Sequence, residues 1–215
     1  MCGNSWVAEM KALSSVSGPA APLMESNVNT DVIIRIERLT DFERDELEPY
    51  AFESWRYVPD GAPDPEFVLN KGPWQGAPIL LAGPNFGCGS SREGAVWALN
   101  CIGIRVVIAP SFGGIFYNNC FQNGTLPIVL PADTVDGFAE IARLQPEAPF
   151  TVDLERQVVV PPNGTPVPFV LDMLRKQGLL KGLDDLGLTA ERLPEISAFQ
   201  KADRTARPWI WPEQK

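Results

Sequence analysis

The middle of the chain alternates short apolar runs with segments of helical spacing. The apolar runs cover residues 78–82, 105–109 and 126–130. Runs of this length without polar alternation are typical of strands buried on both faces of a sheet. Helical spacing begins at about Ser90, and a second helix is predicted over residues 115–122. The order strand, helix, strand, helix, strand predicts an α/β domain with a parallel sheet and right-handed crossovers.

The C-terminal third has a different pattern. Residues 151–160 alternate like one half-exposed strand, and Asn163-Gly164 is a strong turn signal before residues 167–170. A hairpin is therefore predicted there. Residues 171–181 and 189–202 have the spacing of helices.

Composition limits the domain organisation and the class of partner. The chain has 215 residues, is 45% hydrophobic and carries a net charge of −9. One substantial core is expected, so we predict a single domain over residues 1–215, with its core at about 20–200 and peripheral segments at 1–9 and 205–215. The acidic balance argues against nucleic acid, and the apolar runs are too short to cross a membrane. The first residues lack the features of a secretory signal or lipid anchor, which favours a cytoplasmic protein.

Cysteine and histidine usage restricts the chemistry. The chain has four cysteines without a C-x-x-C pair and no histidine. This pattern favours free thiols over a zinc site, and the cysteines also lack the local spacing usual for iron-sulfur ligands. We therefore expect this chain to bind no metal or cofactor. Without histidine, acid–base work falls to Ser, Tyr, Lys or a carboxylate.

A glycine-rich turn at residues 83–93 is the main candidate site. Its glycines permit a tight turn and a close approach to a ligand. Ser90 and Glu93 fit a capping box, which predicts that a helix begins at about Ser90. Ser90, Ser91 and Arg92 would then lie at the positive end of the helix and could hold a carboxylate or phosphate. The simpler alternative is that Ser90 only caps the helix and Arg92 is only a solvated residue of its first turn.

Several blocks of the chain together resemble the small subunit of 3-isopropylmalate dehydratase, a relative of the swivel domain of aconitase. The blocks are residues 85–93, 105–112, 115–121 and 123–128, with residues 27–34 similar to the opening loop of the family and 182–189 to its C-terminal signature. The resemblance covers about residues 20–200. It implies an α/β fold, a swivelling β/α/β-layered domain of the aconitase small-subunit type.

The resemblance also implies a reaction and residue roles. The family moves a hydroxyl between adjacent carbons of a hydroxy dicarboxylic acid by dehydration and rehydration. By this resemblance Ser90 is the base that removes a carbon-bound proton, whereas Ser91 and Arg92 bind substrate. Asn85, Gly87 and Gly89 shape the loop. An N-capping Ser90 would be a poor base, so either the cap bond stabilises its alkoxide or Ser91 is the true cap.

In the family, the four-iron–four-sulfur cluster belongs to a large subunit. The resemblance therefore implies that this chain is inactive alone and works in a heterodimer or higher assembly with that subunit.

The chain departs from the family pattern at two places. The family normally has His at the position of Gly94, so a side chain has been lost from the motif. It generally has Pro at the position of Arg35, in a loop that lies over the substrate. Arg35 or Arg38 could therefore meet a second carboxylate, or both could be surface charges paired with Glu37 or Asp41.

Three functions remain open from the sequence. The first is 3-isopropylmalate dehydratase, which converts 2-isopropylmalate to 3-isopropylmalate in leucine biosynthesis. The second is a sister hydro-lyase for citramalate or citraconate, a substituted malate or homoaconitate. The third is a phosphate- or nucleotide-binding module, although the glycines do not fit G-x-G-x-x-G and no P-loop lysine follows them.

Overall fold

The computed structural model describes residues 10–90 and 92–211. Its strands are β1 (Ser15–Gly18), β2 (Ala20–Leu23), β3 (Ile79–Ala82), β4 (Val106–Ala109), β5 (Leu126–Val129), β6 (Phe150–Asp153), β7 (Val158–Val160) and β8 (Val167–Pro168). Its α-helices are α1 (Thr30–Ile33), α2 (Ile36–Asp41), α3 (Glu53–Arg56), α4 (Gly94–Cys101), α5 (Gly114–Gln122), α6 (Ala132–Leu144), α7 (Met173–Lys181), α8 (Asp185–Ala190) and α9 (Leu193–Ala206). Short 3-10 turns cover Arg44–Glu46, Glu48–Tyr50, Val68–Asn70, Gly72–Trp74 and Pro208–Ile210.

The predicted parallel sheet is confirmed. Its order is β2-β3-β4-β5, and each neighbouring pair is parallel. Helix α4 connects β3 to β4, and α5 connects β4 to β5. Strands β3 and β4 are buried along their whole length, as unbroken apolar runs in a sheet covered on both faces should be. The pattern analysis missed the edge strand β2, whose residues Ala-Ala-Pro-Leu include none of the β-branched or aromatic residues typical of strands.

A second sheet is antiparallel and has the order β1-β6-β7-β8. The predicted hairpin is present between β7 and β8. The prediction of one strand over residues 151–160 is wrong, because the chain reverses between β6 and β7. The backbone N–H of Arg156 donates to Asp153 Oδ1 (2.8 Å), and Gln157 takes a positive φ of 53°, which together form this turn.

The parallel sheet separates two hydrophobic cores. Leu80 and Val107 face a core that includes α1 and α4. Ile79 and Ile108 face the other core, which contains one side of α6 and the inner residues of β6 and β7. Successive side chains of a strand point to opposite faces, so both cores are filled by the same apolar runs. The outcome is the predicted α/β layered domain.

Two helix predictions need correction. The C-terminal helix predicted over residues 189–202 is in fact α8 followed by α9, separated by a break at Glu191 and Arg192. Pro194 lies in the first turn of α9, where its missing N–H costs no hydrogen bond, and it favours a new helix start. Helix α4, which connects β3 to β4, begins at Gly94 rather than at the predicted Ser90.

The end of the described chain is held by one carboxylate. Asp203 accepts hydrogen bonds from Trp211 Nε1 (2.9 Å) and Arg207 Nε (2.6 Å). These bonds, that from Trp211 first, lower the pKa of the Asp203 carboxyl. The peripheral segment proposed for residues 1–9 lies outside the described residues, as do 212–215 of the C-terminal one. Among the described helices, none is both long and apolar enough to span a bilayer.

Candidate active site

Two segments that are far apart in sequence lie side by side at the ends of β2 and β3. The opening loop at residues 27–31 runs along the glycine-rich loop at residues 84–90. Backbone hydrogen bonds join them from Asn27 N to Pro84 O (2.9 Å), from Gly87 N to Val28 O (2.7 Å) and from Thr30 N to Cys88 O (2.9 Å). The structure therefore places the glycine-rich loop beside the opening loop that precedes Arg35 and Arg38.

The glycine-rich loop has the shape that its glycines permit. Gly87 has a φ of 70°, and a β-carbon there would collide with the ring of Phe116. Asn85 also has a positive φ, of 59°, and its Nδ2 donates to Asn27 Oδ1 (2.8 Å). Gly89 has a φ of 95°. All three residues thus take conformations that shape the loop.

Ser90 lies exposed at the end of this loop. Its backbone carbonyl accepts a hydrogen bond from the hydroxyl of the buried Thr30 (3.0 Å). The backbone of Ser90 is therefore anchored while the residue remains accessible at the surface. The other predicted site serine, Ser91, lies outside the described residues.

The predicted capping box is wrong. The N-cap position of α4 is Glu93, which makes no side-chain cap bond. Oε1 of the Glu93 carboxylate instead accepts from Asn123 Nδ2 (2.9 Å). Ser90 does not occupy the N-cap position, which removes the conflict between capping and a role of Ser90 as base.

Arg92 forms an ion pair with Asp31 of α1. The side chain of Arg92 is only 14% exposed, whereas that of Asp31 is 52% exposed. The guanidinium is therefore largely removed from water and already binds one carboxylate. The sequence reasoning missed Asp31, although the residue belongs to the opening loop that carried the family resemblance.

Arg35 and Arg38 both pair with the half-buried carboxylate of Glu53, which the sequence did not indicate. Nε of Arg38 lies 2.9 Å from Glu53 Oε2, and Nε of Arg35 lies 3.5 Å from Glu53 Oε1. The predicted alternative pairing of Arg35 with Glu37 is also present, at 3.8 Å. The Arg38 guanidinium additionally lies over the ring of Tyr50, 4.6 Å from its centroid. Both arginines therefore have partners within this chain.

The buried Gly94 has no room for a side chain. A β-carbon on Gly94 would collide with the methyl carbons of Leu39, from α2. Leu39 thus fills the space directly beside the α-carbon of Gly94. A side chain at position 94 would therefore require Leu39 to move.

The described residues do not fit a metal or iron-sulfur site. Among residues 10–90 and 92–211, no group of three His, Cys, Asp or Glu side chains is placed to hold a metal ion. Cys88 is half-buried in the glycine-rich loop and donates to Asn27 O (3.4 Å). Cys120 lies in the core, where burial raises its thiol pKa well above the usual value and disfavours the thiolate that would bind iron.

Comparison with known proteins places the chain in a family. A family model described as the aconitase C-terminal domain matches residues 10–133, more than half of the chain. The 3-isopropylmalate dehydratase small subunit of Paramagnetospirillum magneticum is 49% identical over 201 residues, which cover 94% of this chain and 100% of that protein. The chain belongs to the family of 3-isopropylmalate dehydratase small subunits. Another member, from Gluconacetobacter diazotrophicus, is 48% identical over 200 residues, covering 93% of this chain and 97% of that one.

A solved structure agrees with this family. The crystal structure of 3-isopropylmalate dehydratase from Methanocaldococcus jannaschii has a TM-score of 0.63 and 27% sequence identity, and the match covers 86% of this chain and 99% of that chain. The predicted family and fold are confirmed. The phosphate- or nucleotide-binding alternative gains no support from any of these comparisons.

Proposed function

We propose that this chain is the small subunit of a 3-isopropylmalate dehydratase, a hydro-lyase of leucine biosynthesis that acts in the cytoplasm. The observation that carries the proposal is the pairing of the largely buried Arg92 with a carboxylate, in a chain that is 49% identical to a small subunit of this name. The reaction removes water from 2-isopropylmalate and adds it back with the hydroxyl on the adjacent carbon.

Arg92 binds a carboxylate of the substrate. A guanidinium presents two parallel N–H groups to a carboxylate, and removal from water strengthens such charge-assisted bonds. Asp31 keeps the Arg92 guanidinium oriented before substrate arrives, because it pairs with Nη1 from the exposed side of the site. The substrate acid then uses the remaining N–H groups of Arg92.

Ser90 removes the carbon-bound proton next to that carboxylate. The C–H electron pair becomes the new carbon–carbon double bond, the hydroxyl leaves the neighbouring carbon, and the Ser90 oxygen holds the proton. Rehydration in the opposite orientation returns the proton to the other carbon and so moves the hydroxyl. The anchored backbone and exposed position of Ser90 suit this role, since the residue stays fixed while the substrate reaches it.

The substrate's other end is apolar. Glu53 pairs with both Arg35 and Arg38, and Glu37 also pairs with Arg35, so two carboxylates of this chain balance the two cations. Helix α2, which contains Arg38, presents Ile36 as a half-exposed apolar side chain. Leu39 of the same helix packs beside Gly94. This arrangement favours an isopropyl substituent over the additional carboxylate of homoaconitate.

The partner is a large subunit. Ser90 lies at the surface of this chain, and water must be excluded from it for an alkoxide to be stabilised. We assign the four-iron–four-sulfur cluster to the large subunit, because the described residues here do not fit it. That cluster supplies the Lewis acid for the departing hydroxyl.

Anaerobic reconstitution with the large subunit tests the function. Turnover of 3-isopropylmalate, citramalate and homoaconitate is compared in the complex and in each subunit alone. We expect 3-isopropylmalate to have the highest kcat/KM and the separate subunits to be inactive. A preference for citramalate or homoaconitate would reject the substrate while keeping the reaction, and a lack of turnover with all three acids would reject the function.

A further inference from the structure

We propose that Asn123 is a positioning residue that fixes the end of the substrate-binding loop through Glu93. The inference rests on the proposed function in so far as Arg92 binds substrate. Asn123 belongs to a block that carried the family resemblance, residues 123–128, but no step of the reaction uses it. It lies at the end of α5, 30 residues along the chain from Glu93, which it contacts.

The side-chain amide of Asn123 is almost completely buried and fully used. Asn123 is 8% exposed. Its Oδ1 accepts from Trp97 Nε1 (2.8 Å), and its Nδ2 donates to Glu93 Oε1 and to Asn119 O (both 2.9 Å). A buried amide with both ends satisfied holds its neighbours in one geometry, since any displacement leaves a buried polar group without a partner.

Glu93 is the part of this network that reaches the site. The residue is exposed, yet its carboxylate points to the buried amide of Asn123. Glu93 directly follows Arg92 in the chain and accepts the first backbone bonds of α4, from Val96 N (2.9 Å) and Trp97 N (3.3 Å). The bond to Asn123 therefore sets where the loop ends and the helix begins.

The rest of the network supports Asn123 from the opposite side. The carbonyl of Asn123 accepts from Asn100 Nδ2 (3.0 Å), and the hydroxyl of Thr125 donates to Asn100 Oδ1 (2.8 Å). These bonds connect α4 to the start of β5 and do not touch Glu93. Thr125 is thus a matched control: it is also buried and belongs to the same network, but it makes no bond to Glu93.

The test uses the complex reconstituted with the large subunit. Asn123→Asp keeps the shape and the acceptor for Trp97 but replaces the donor to Glu93 with a second carboxylate oxygen. We expect kcat/KM to fall at least 10-fold and amide hydrogen exchange in residues 87–93 to accelerate. The double variant, Asn123→Asp with Glu93→Gln, exchanges donor and acceptor. Its kcat/KM should be at least threefold higher than that of Asn123→Asp alone. Thr125→Val should leave both readouts within twofold of the wild type.

A second pair of variants, both at Glu93, tests the inference if Asn123→Asp does not fold. Glu93 is exposed, so Glu93→Ala leaves the core intact and only removes the acceptor; Glu93→Gln retains an acceptor oxygen. We expect Glu93→Ala to lower kcat/KM at least fivefold and Glu93→Gln to keep at least twice the kcat/KM of Glu93→Ala. Equal values for the two, or an equal effect of Thr125→Val, would overturn the inference. If the wild-type complex is inactive, the proposed function fails, and hydrogen exchange still decides the role of Asn123.

Discussion

The side chain of Leu39 occupies the place where a β-carbon on Gly94 would stand. Leu39 belongs to α2, in the loop expected to lie over the substrate, and Gly94 is the first residue of α4. The two positions are therefore coupled. A residue larger than glycine at position 94 requires Leu39 to move, and a smaller residue at position 39 opens space at position 94.

This coupling predicts a non-additive pair of substitutions. Gly94→His alone should lower the free energy of unfolding by about 1–3 kcal/mol, the usual cost of overpacking. Leu39→Ala combined with Gly94→His should recover at least half of that loss. Urea unfolding of the four proteins in the cycle measures the effect, and strictly additive free energies would contradict the coupling.

Ser90→Ala should reduce kcat by about 10²–10⁴-fold, the usual contribution of a general base. The fold should persist, because the anchor to Thr30 uses the backbone carbonyl of Ser90 rather than its hydroxyl. Substrate affinity, measured by isothermal calorimetry on the complex, should change by less than threefold. Ser17→Ala is the control: this serine lies on β1, and its hydroxyl bonds to Thr151 in the antiparallel sheet. A similar kcat in Ser90→Ala and the wild type would reject Ser90 as the base.

Arg92→Lys should raise KM about 10-fold or more with a smaller effect on kcat. Lysine keeps the charge but cannot bind a carboxylate through two parallel N–H groups. Asp31→Asn leaves the guanidinium without its ion-pair partner and should also raise KM, by less than Arg92→Lys. Steady-state kinetics separates KM from kcat. A loss confined to kcat would show that Arg92 acts in the transition state rather than in substrate binding.

Glu53→Gln should shift substrate preference toward acids with an additional carboxylate. The substitution releases Arg35 and Arg38 from their shared carboxylate while keeping the size of the side chain. We expect the ratio of kcat/KM for homoaconitate to that for 3-isopropylmalate to rise severalfold. Glu37→Gln is the control, since Glu37 lies farther from Arg35 and is exposed. An equal shift in both variants would indicate a general charge effect.

The C-terminal turn should detach in acid. The pKa of Asp203 is lowered by its hydrogen bonds, that from Trp211 first and then those from Arg207. The docking of this turn is therefore stabilised above the ordinary pKa of an aspartate, about 3.9, and the stabilisation is lost as the pH falls through the lowered value. Tryptophan fluorescence should change below about pH 4. The Asp203→Asn protein should lack this transition, and its presence there would assign it to another group.

Strands β3, β4 and β5 of the parallel sheet could be predicted because each is an unbroken apolar run. Both β2 and the turn between β6 and β7 were missed for physical reasons. Strand β2 lacks β-branched and aromatic residues, and its pairing with β3 is long-range. The turn depends on Asp153 bonding locally to the backbone. Helix α6 was missed despite apolar residues at helical spacing, from Val135 to Ala142.

Prediction of the site from the sequence was limited in the same way. The glycine-rich loop and its candidate residues could be found from local signals, but the partners of their charges could not. Asp31, Glu53 and Asn123 reach the site from other parts of the chain, and only the tertiary fold brings them there. The capping box is one example, because the carboxylate of Glu93 bonds to Asn123, 30 residues farther along the chain.

Three main-chain bonds join the two site segments, among them that from Gly87 N to Val28 O. Bonds of this kind do not depend on which side chains the segments display. Exposed side chains of these segments can therefore be exchanged without loss of the main-chain bonds that hold the segments together.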